Sequence, residues 1–390
     1  KYFNFFSESF AQAFTLLGQP FDVSRLNIIL PVGISFYTFQ TLSYSIDVYR
    51  RKMEPTKDII AFFSFVSFFP QLVAGPIERA TNLLPQFYKK RNFEYLKAVD
   101  GLKQILWGLF KKVVIADNCA IVVNDIFANY ASYSGSTLIL GAIFFAFQIY
   151  GDFSGYSDIA IGTAKLFGFN LMQNFAFPYF SRDIAEFWRR WHISLSTWFR
   201  DYLYIPLGGS RGSMNKKIRN IFIIFIVSGF WHGANWTFII WGALNAIYFL
   251  PLLFLSRNRD NLNIAGEGEV LPSIREVVNI LLTFFLTVFA WIFFRAESVT
   301  HAFSFIKQIF NNLYFEIPNI LSIGKFHLFI TCVLILIFTT IEWLGREGQY
   351  AIEKYSSNWN RSAKWMFYYI ILLAIFIYNK NQQEFIYFQF

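Results

Sequence analysis

The chain is poor in charged residues, histidine and cysteine. Charged side chains make up 15% of the 390 residues, whereas about a quarter is usual in soluble proteins, and this shortage excludes an ordinary soluble domain. The two cysteines, Cys119 and Cys332, both lie in apolar stretches, which excludes a disulfide framework and a cysteine-based zinc site. The four histidines show neither the HxxxH nor the HExxH spacing of a metal site, so we predict that the protein holds no metal ion.

The chain is instead rich in apolar and aromatic residues. Hydrophobic residues make up 55% and aromatic residues 21% of the sequence, and the mean hydropathy is +0.39, as expected of a protein embedded in a lipid bilayer. The net charge of +9 comes from short basic clusters that flank apolar runs. This placement indicates cytoplasmic ends of membrane segments and no nucleic-acid partner, and it leaves open a basic mouth for an anionic substrate.

Apolar runs with few charges recur along the whole chain, and their lengths are close to what a membrane crossing needs. We predict an all-α, polytopic integral membrane protein of roughly nine to eleven membrane segments in a single domain, residues 1–390. Pro31 and Gly33 are expected to kink the first run, and a flexible surface loop is expected at 256–273. The runs are 26–46, 59–77, 113–127, 136–150, 159–171, 221–255, 277–294, 326–344 and 365–378.

Two of these runs are expected to be broken. Residues 59–77 contain two prolines and a glycine, which favour an interrupted or re-entrant segment over a straight helix. Residues 221–255 exceed the about twenty residues that one crossing needs, so we predict two helices or half-helices separated near His232. Broken helices at membrane depth usually surround a cavity, and we expect a central tunnel here.

His232 is the most informative single residue. No Asp, Glu, Lys or Arg lies between Arg219 and Arg257, and a helix would place His232 roughly 20 Å from Arg219, near the bilayer midplane. An ionisable side chain is costly at that depth, which makes His232 a functional candidate, although a hydrogen-bonded core histidine is the common alternative. Its small neighbours, Gly229 and Gly233 among them, are expected to leave room for a substrate chain.

The stretch 181–204 is too charged to lie in lipid but has a strong helical pattern. Aromatic residues at helical spacing form one stripe that turns His192 towards the apolar interior. We predict a single helix with Ser181 as N-cap, lying at an interface or along a cavity. Ordinary core packing is the alternative for the stripe. The stripe consists of Trp188, Trp191, His192, Leu195, Trp198, Phe199 and Tyr202.

A third polar patch, residues 150–158, lies between two apolar runs. Its glycines, serines and carboxylates would need a protein-lined or water-filled cavity at membrane depth, whereas an exposed turn is the alternative. Asp152 and Asp158 are candidates for an acid–base pair, although a spacing of six residues is weak evidence for one.

Five sequence blocks follow one another along the chain: PVGISFYTFQTLSYSIDVYR, FPQLVAGPIER, YGDFSGYSDIAIG, FWRRWHISLSTWFRDYLYIPLGG and SGFWHGANWTFIIWGALNA. In this order they resemble the membrane-bound O-acyltransferase (MBOAT) family, in particular its bacterial branch of alginate and cell-wall polysaccharide O-acetyltransferases. The resemblance covers nearly the whole chain. The branch usually has one or two further membrane helices before the position of Lys1, so we expect N-terminal helices of the family to be missing here.

The resemblance implies roles for individual residues. His232, in Trp-His-Gly, matches the family's catalytic histidine, and His192, in Arg-Trp-His, matches a second, supporting position. Imidazole suits this chemistry because its ordinary pKa lies near the working pH, so the neutral form can draw the proton from an attacking alcohol. His301 and His327 are given no role. The candidates for substrate contact are Trp231, Asn235, Trp191, Arg189 and Asp152.

The resemblance also implies the reaction. An acyl group, acetyl in the simplest case, would pass from a cytoplasmic thioester donor such as acetyl-CoA through the tunnel to His232, and on to a hydroxyl for extracytoplasmic polysaccharide O-acetylation. The expected acceptor is a polysaccharide or an extracytoplasmic protein of an acetylation complex. No tightly bound cofactor is expected. The implied location is the bacterial cytoplasmic (inner) membrane, with multiple crossings.

Two alternatives stay open at this point. Transfer of D-alanine from a carrier protein to a cell-wall polymer is the nearest alternative among enzymes. A non-enzymatic transporter or flippase would also use broken helices and polar residues near the midplane. Against the transporter, no inverted repeat is visible between the two halves of the chain.

Overall fold

The regular structure of the chain is helical. In the computed structural model no β-strand occurs in the described part of the chain, which confirms the predicted fold class. The described residues are 2–19, 23, 25, 26, 28, 31, 33–312, 324–354 and 359–386. The α-helices are α1 (Tyr2–Leu16), α2 (Ile34–Tyr49), α3 (Ile59–Val66), α4 (Ala80–Tyr88), α5 (Tyr95–Leu109), α6 (Asp117–Ala128), α7 (Gly135–Leu166), α8 (Ile184–Arg190), α9 (Ile193–Phe199), α10 (Met214–His232), α11 (Trp236–Phe254), α12 (Ile274–Arg295), α13 (Val299–Asn311), α14 (Gly324–Leu344) and α15 (Arg361–Tyr378).

Five of the described helices are long and apolar enough to cross a membrane by length and composition, namely α7, α11, α12, α14 and α15. They coincide with most of the predicted runs from residue 136 onwards. Many of the large apolar side chains on α12, α14 and α15 are exposed, as expected of surfaces that face lipid. The earlier runs form shorter or more polar helices, and the total of nine to eleven segments stays a prediction.

Helix α7, the longest of the described helices, lies against α5 through glycines. A Cβ atom added at Gly101 would lie 2.6 Å from the carbonyl oxygen of Gly162, and one added at Gly108 would lie 2.6 Å from that of Gly155. Any side chain at these positions would separate the helices, so glycine allows the two backbones to touch. A π-helical segment, Phe110–Ala116, joins α5 to α6 and continues the contact with α7.

The polar patch 150–158 does not interrupt α7, so the prediction of two separate apolar segments is wrong here. Most of the patch is buried, which also excludes the exposed turn. The carboxylates find cationic partners inside the bundle. Lys111 Nζ lies 2.5 Å from Asp158 Oδ2, and Lys112 Nζ lies 2.8 Å from Asp152 Oδ1. Because each carboxylate is paired with a lysine, the helix tolerates these charges in its interior.

Helices α10 and α11 form a hairpin whose turn follows His232. Helix α10 ends at His232 and α11 begins at Trp236, so the predicted break within 221–255 is confirmed. The flanking cations, Arg219 and Arg257, are exposed near the other, open end of the hairpin. His232 therefore lies nearly the full length of α10, about 28 Å for its nineteen residues, from the start of that helix. Its depth in a bilayer stays a prediction.

The stretch 181–204 forms two short helices, where a single helix was predicted. Between α8 and α9, His192 adopts the left-handed conformation with φ 44°. Asp183 caps α8, where Ser181 was expected, because its carboxylate accepts a hydrogen bond from the Glu186 N–H at 2.7 Å. The inward-facing part of the stripe is buried as predicted: Trp191, His192, Leu195, Trp198 and Phe199.

Three further predictions concern segments outside the site. Residues 59–77 are broken as predicted, because α3 spans only eight residues of this run. Among the described residues of 26–46, helix begins only after Gly33, which is left-handed with φ 77°; positions 27, 29, 30 and 32 lie outside the described residues. The loop 256–273 is fixed to the bundle and not free, since arginines donate hydrogen bonds to its backbone, for example Arg346 Nε to Ala265 O at 2.7 Å.

Candidate active site

His232 lies among aromatic rings at the end of α10. Its ring centroid is 4.8 Å from that of Trp231, 5.2 Å from that of Trp241 and 5.2 Å from that of Phe294. These rings come from α10, α11 and α12, so three helices hold the imidazole in place. The side chain itself is half-buried. The sequence folds this way because the turn after His232 lets α11 return and bring Trp241 back to the histidine.

His192 is buried, with 1% of its surface exposed, and its backbone is strained. A φ of 44° and ψ of 55° lie in the left-handed region, which costs on the order of 1 kcal/mol or more for a residue with a Cβ atom. Two backbone hydrogen bonds, one on each side of His192, hold this conformation. The Ile193 N–H donates to the carbonyl oxygen of Asn174 at 2.8 Å, and the Ala176 N–H donates to that of Arg190 at 3.0 Å.

Trp231 connects the two histidines. Its ring centroid lies 4.8 Å from that of His232 and 6.3 Å from that of His192. Phe39 of α2 covers the same indole at 5.2 Å. The structure therefore brings both predicted catalytic positions to one tryptophan, although His192 lies between α8 and α9 whereas His232 ends α10.

The two ring nitrogens of His192 have different surroundings. Nδ1 lies 3.1 Å from Asn174 Oδ1. Nε2 is buried and has no hydrogen-bond partner within the described residues. The Phe153 ring stands perpendicular to the imidazole, with the centroids 4.6 Å apart. Leaving a buried nitrogen unpaired costs about 1–3 kcal/mol, so a hydrogen bond donated by a ligand would stabilise this atom.

A cavity of about 620 Å³ opens beside the turn that follows His232. Gly233, Ala234 and Asn235 line one side of it, and Phe294, which also contacts the His232 ring, lines another. Charged side chains from the end of α12 and from α1 reach the same space, so the cavity suits a polar ligand. A continuous tunnel stays a prediction.

The expectation that Gly229 leaves room for substrate is wrong, although Gly233 does line the cavity on one side. A Cβ atom at Gly229 would lie 2.2 Å from the carbonyl oxygen of Phe238, and one at Gly233 would lie 2.2 Å from the Phe238 ring. Farther from the turn, a Cβ atom at Gly242 would meet the carbonyl oxygen of Phe225 at 2.4 Å. The space beside Gly229 and Gly242 is filled by the partner helix, so these two glycines serve the close contact of α10 with α11.

The other predicted contact residues have structural partners. Asn235 caps α11 by accepting from the Thr237 N–H at 3.1 Å. Trp191 is buried in the aromatic core, 5.2 Å from the Trp291 ring. Arg189 lies on an exposed face and donates to two loop carbonyl oxygens, and Asp152 is held by Lys112. Contact of Trp231, Asn235, Trp191, Arg189 and Asp152 with substrate stays a prediction.

The sequence interpretation missed Asn174, which is fully buried at the centre of the His192 environment. Its side chain also meets Ser194 and Ser157. Asn174 stands in the segment LMQNFAFPYF, where no periodicity or motif distinguishes it. The only available signal was its position shortly before the aromatic stripe, which by itself predicts no contact.

Fold and site together define a polytopic α-helical membrane protein in which a buried histidine and a half-buried histidine flank one tryptophan beside a polar cavity. The model of MBOAT, the membrane-bound O-acyltransferase family, matches residues 55–294, and the chain belongs to this family. The matched region contains His192, His232, Trp231 and Asn174. The resemblance inferred from the five sequence blocks is confirmed.

The chain is similar to bacterial proteins that are named for the transfer of acetyl or D-alanyl groups. A probable alginate O-acetylase of Pseudomonas aeruginosa is 44% identical over 312 residues, which are 80% of this chain and 57% of the relative. A peptidoglycan O-acetyltransferase of Helicobacter pylori is 38% identical over 328 residues, 77% of this chain and 60% of the relative. A teichoic acid D-alanyltransferase of Bacillus subtilis is 27% identical over 288 residues, 70% of this chain and 71% of the relative. The chain thus spans little more than half the length of the alginate and peptidoglycan relatives.

Proposed function

We propose that this protein is an O-acyltransferase of a bacterial cytoplasmic membrane. It moves an acyl group, with acetyl as the first candidate, from a thioester donor such as acetyl-CoA to a hydroxyl group. This hydroxyl belongs to an extracytoplasmic polysaccharide or to a partner protein that passes the acyl group to the polysaccharide. The observation that carries this proposal is the meeting of His192 and His232 at Trp231, beside a polar cavity and within the region that matches the family. The names of the alginate and peptidoglycan relatives support the class of reaction.

His232 is the base in this proposal. As the acceptor oxygen attacks the thioester carbonyl carbon, an imidazole nitrogen takes the hydroxyl proton and the new carbon–oxygen bond forms. The carbon–sulfur bond then breaks, and the proton passes from the imidazolium to the departing sulfur, so that a thiol leaves. Histidine suits both steps because its ordinary pKa, about 6.5, lets it accept and release a proton near neutral pH.

His192 supports this step through its unpaired nitrogen. Nε2 is buried within the same cluster of rings and has no partner among the described residues, so it is available to accept a hydrogen bond from a substrate hydroxyl. The strained, doubly anchored backbone at His192 keeps the ring in one orientation. Fixed orientation is what positioning of a reacting group requires.

The α10–α11 hairpin supports opposite sides for donor and acceptor. Arg211, Lys216 and Arg257 are exposed at the open end of the hairpin, which the positive-inside rule assigns to the cytoplasm, and they attract an anionic donor. The cavity lies at the other end, beside the turn after His232. A donor thioester from the basic end and a hydroxyl from the cavity would then meet at His232.

D-alanyl transfer to a cell-wall polymer is a second candidate, favoured by the similarity to teichoic acid D-alanyltransferases of Bacillus subtilis and Streptococcus thermophilus. The hydroxyl chemistry and the role of His232 would be the same. The two candidates differ in the group attached to the polymer, which its mass identifies.

The test is complementation of a strain that lacks the gene. Wild type, His232→Ala and His327→Ala are expressed to equal membrane levels, and the extracellular and cell-wall polymers are analysed by mass spectrometry. His327 lies on α14 and has no role in the proposal, so it is the matched histidine control. Wild type and His327→Ala should restore acetyl groups, and His232→Ala should not. Restored acetylation by His232→Ala would contradict the proposal, and alanine on the polymer would favour the second candidate.

A further inference from the structure

Asn174 makes four polar contacts with its side chain, all of them inside the bundle. Oδ1 lies 3.2 Å from the backbone nitrogen of Ser194, 2.9 Å from Ser194 Oγ and 3.1 Å from His192 Nδ1. Nδ2 lies 3.0 Å from Ser157 Oγ on α7. Asn174 and Ser194 are each 0% exposed and Ser157 is 2% exposed, so these contacts decide how the amide is oriented.

The orientation of the Asn174 amide follows from the Ser194 backbone. A backbone N–H only donates, so the side-chain atom that faces it must be the oxygen and cannot be the NH₂ group. With Oδ1 placed in this way, Nδ2 points to Ser157 Oγ, which has lone pairs to accept its hydrogen. The chemistry of the partners therefore leaves one orientation for this side chain.

The same reasoning fixes the proton on His192. An amide oxygen only accepts, so Nδ1 of His192, at 3.1 Å from Asn174 Oδ1, must carry the hydrogen and donate it. In a neutral imidazole the other nitrogen then has a lone pair and no hydrogen. This second nitrogen, Nε2, is the buried atom without a partner among the described residues.

We propose that Asn174 is a positioning residue that holds neutral His192 in the Nδ1–H tautomer, so that Nε2 accepts a hydrogen bond from the acceptor hydroxyl. This inference rests on the proposed acyl transfer, and it assigns a different role to each of the two histidines. Asn174 is uncharged, so it orients His192 without the carboxylate that would stabilise a full positive charge on the ring. His192 is then the hydrogen-bond acceptor that aligns the hydroxyl, and His232 is the base that takes its proton.

The tautomer can be measured without any activity. The protein has only four histidines, so ¹⁵N spectra of histidine-labelled protein in lipid nanodiscs are simple, and a His192→Gln sample assigns the His192 signals. At neutral pH we expect a protonated, pyrrole-type Nδ1 and an unprotonated, pyridine-type Nε2. In Asn174→Leu the ring should lose this preference. A pyridine-type Nδ1 in the wild type would overturn the proposal, whatever the enzyme transfers.

Two substitutions test the consequence for the reaction. Asn174→Leu removes the acceptor and should lower kcat about tenfold, the value of one net hydrogen bond. Asn174→Asp still accepts from His192 but favours a charged ring, so it should retain activity at high pH and move the acid limb of the pH–rate profile to higher pH.

Asn220→Leu is the matched control, because Asn220 is also 0% exposed and its amide donates to the carbonyl oxygens of Leu207 and Gly209. Per folded molecule it should keep the wild-type pH profile. If Asn174→Leu and Asn174→Asp both show the wild-type kcat and pH profile, the positioning role is refuted while acyl transfer stands. If wild type transfers no acyl group, the proposed function fails, and the tautomer measurement still decides the role of Asn174.

Discussion

Replacing Gly229 by alanine should displace His232, and it should both slow the reaction and lower the stability of the fold. The added Cβ atom would lie 2.2 Å from the carbonyl oxygen of Phe238, whereas ordinary contacts begin at 3.4 Å. The shortfall is about 1.2 Å, and backbone of α11 cannot rotate away as a side chain can, so α10 and α11 must separate by about that distance. Overpacking of this kind costs about 1–3 kcal/mol, and a displacement of about 1 Å at a reacting group lowers the rate about 10²-fold.

The assay compares Gly229→Ala with Gly101→Ala in detergent or nanodiscs. Gly101 makes an equally close backbone contact, 2.6 Å to the carbonyl oxygen of Gly162, but on α5 and α7, away from the His232 turn. Thermal unfolding and the rate of acyl transfer per folded molecule are measured for both variants. We expect both to unfold at lower temperature than wild type. Only Gly229→Ala should lose about two orders of magnitude in kcat, since of the two contacts only the one at Gly229 lies in the hairpin that carries His232.

A folded Gly229→Ala protein with wild-type kcat would refute this reasoning. It would show that the hairpin absorbs the added methyl group without moving the imidazole, or that the imidazole position does not govern the rate. An equal loss of kcat in Gly101→Ala would also count against it, because the effect would then follow from general loosening of the bundle.

Two other substitutions test contacts that the fold depends on. Lys112→Met leaves the carboxylates of Asp117 and Asp152 buried without their shared cation, and should destabilise the protein by about 3–5 kcal/mol in thermal or denaturant unfolding; unchanged stability would show that these charges are solvated. Arg189→Ala frees two carbonyl oxygens of the loop 256–273, so limited proteolysis should cut this loop faster than in wild type, with acyl transfer little changed. A large loss of kcat in Arg189→Ala would instead support the predicted contact of Arg189 with substrate.

The break beside His232 could be predicted from sequence because its causes are local. A run of 35 residues, 221–255, is too long for one crossing, and the glycines and Asn235 interrupt its apolar pattern. Asn235 then acts as the N-cap of α11, as its residue type favours. Nothing in the run shows that Gly229 touches α11, because that contact is made only when the two helices meet.

The split at His192 could not be predicted in the same way. Aromatic residues keep their helical spacing through 188–202, so the pattern predicts a single helix. The left-handed His192 is held by the hydrogen bonds of Ile193 with Asn174 and of Arg190 with Ala176, pairs that are nineteen and fourteen residues apart in the sequence. Such pairing overrides local preference and leaves no periodic signal.

The charged residues of the polar patch 150–158 likewise have partners that the local sequence does not predict. Glycines, serines and carboxylates favour a turn locally, yet this stretch remains helical because Lys111 and Lys112 lie opposite it in the π-helical segment. Two lysines next to an apolar run predict a cytoplasmic end by the positive-inside rule. In the structure they serve instead as partners for Asp158 and Asp152, a use that depends on the packing of α5 and α6 against α7.

The most direct test of acyl transfer at His232 uses the purified protein in liposomes. Transfer of a labelled acetyl group from acetyl-CoA to polysaccharide fragments is measured for wild type, His232→Ala and His327→Ala, with equal folded protein in each sample. Loss of a general base should lower the rate about 10²–10⁴-fold in His232→Ala and leave His327→Ala near wild type. A His232→Ala rate within a few-fold of wild type would contradict the assignment of His232 as the base.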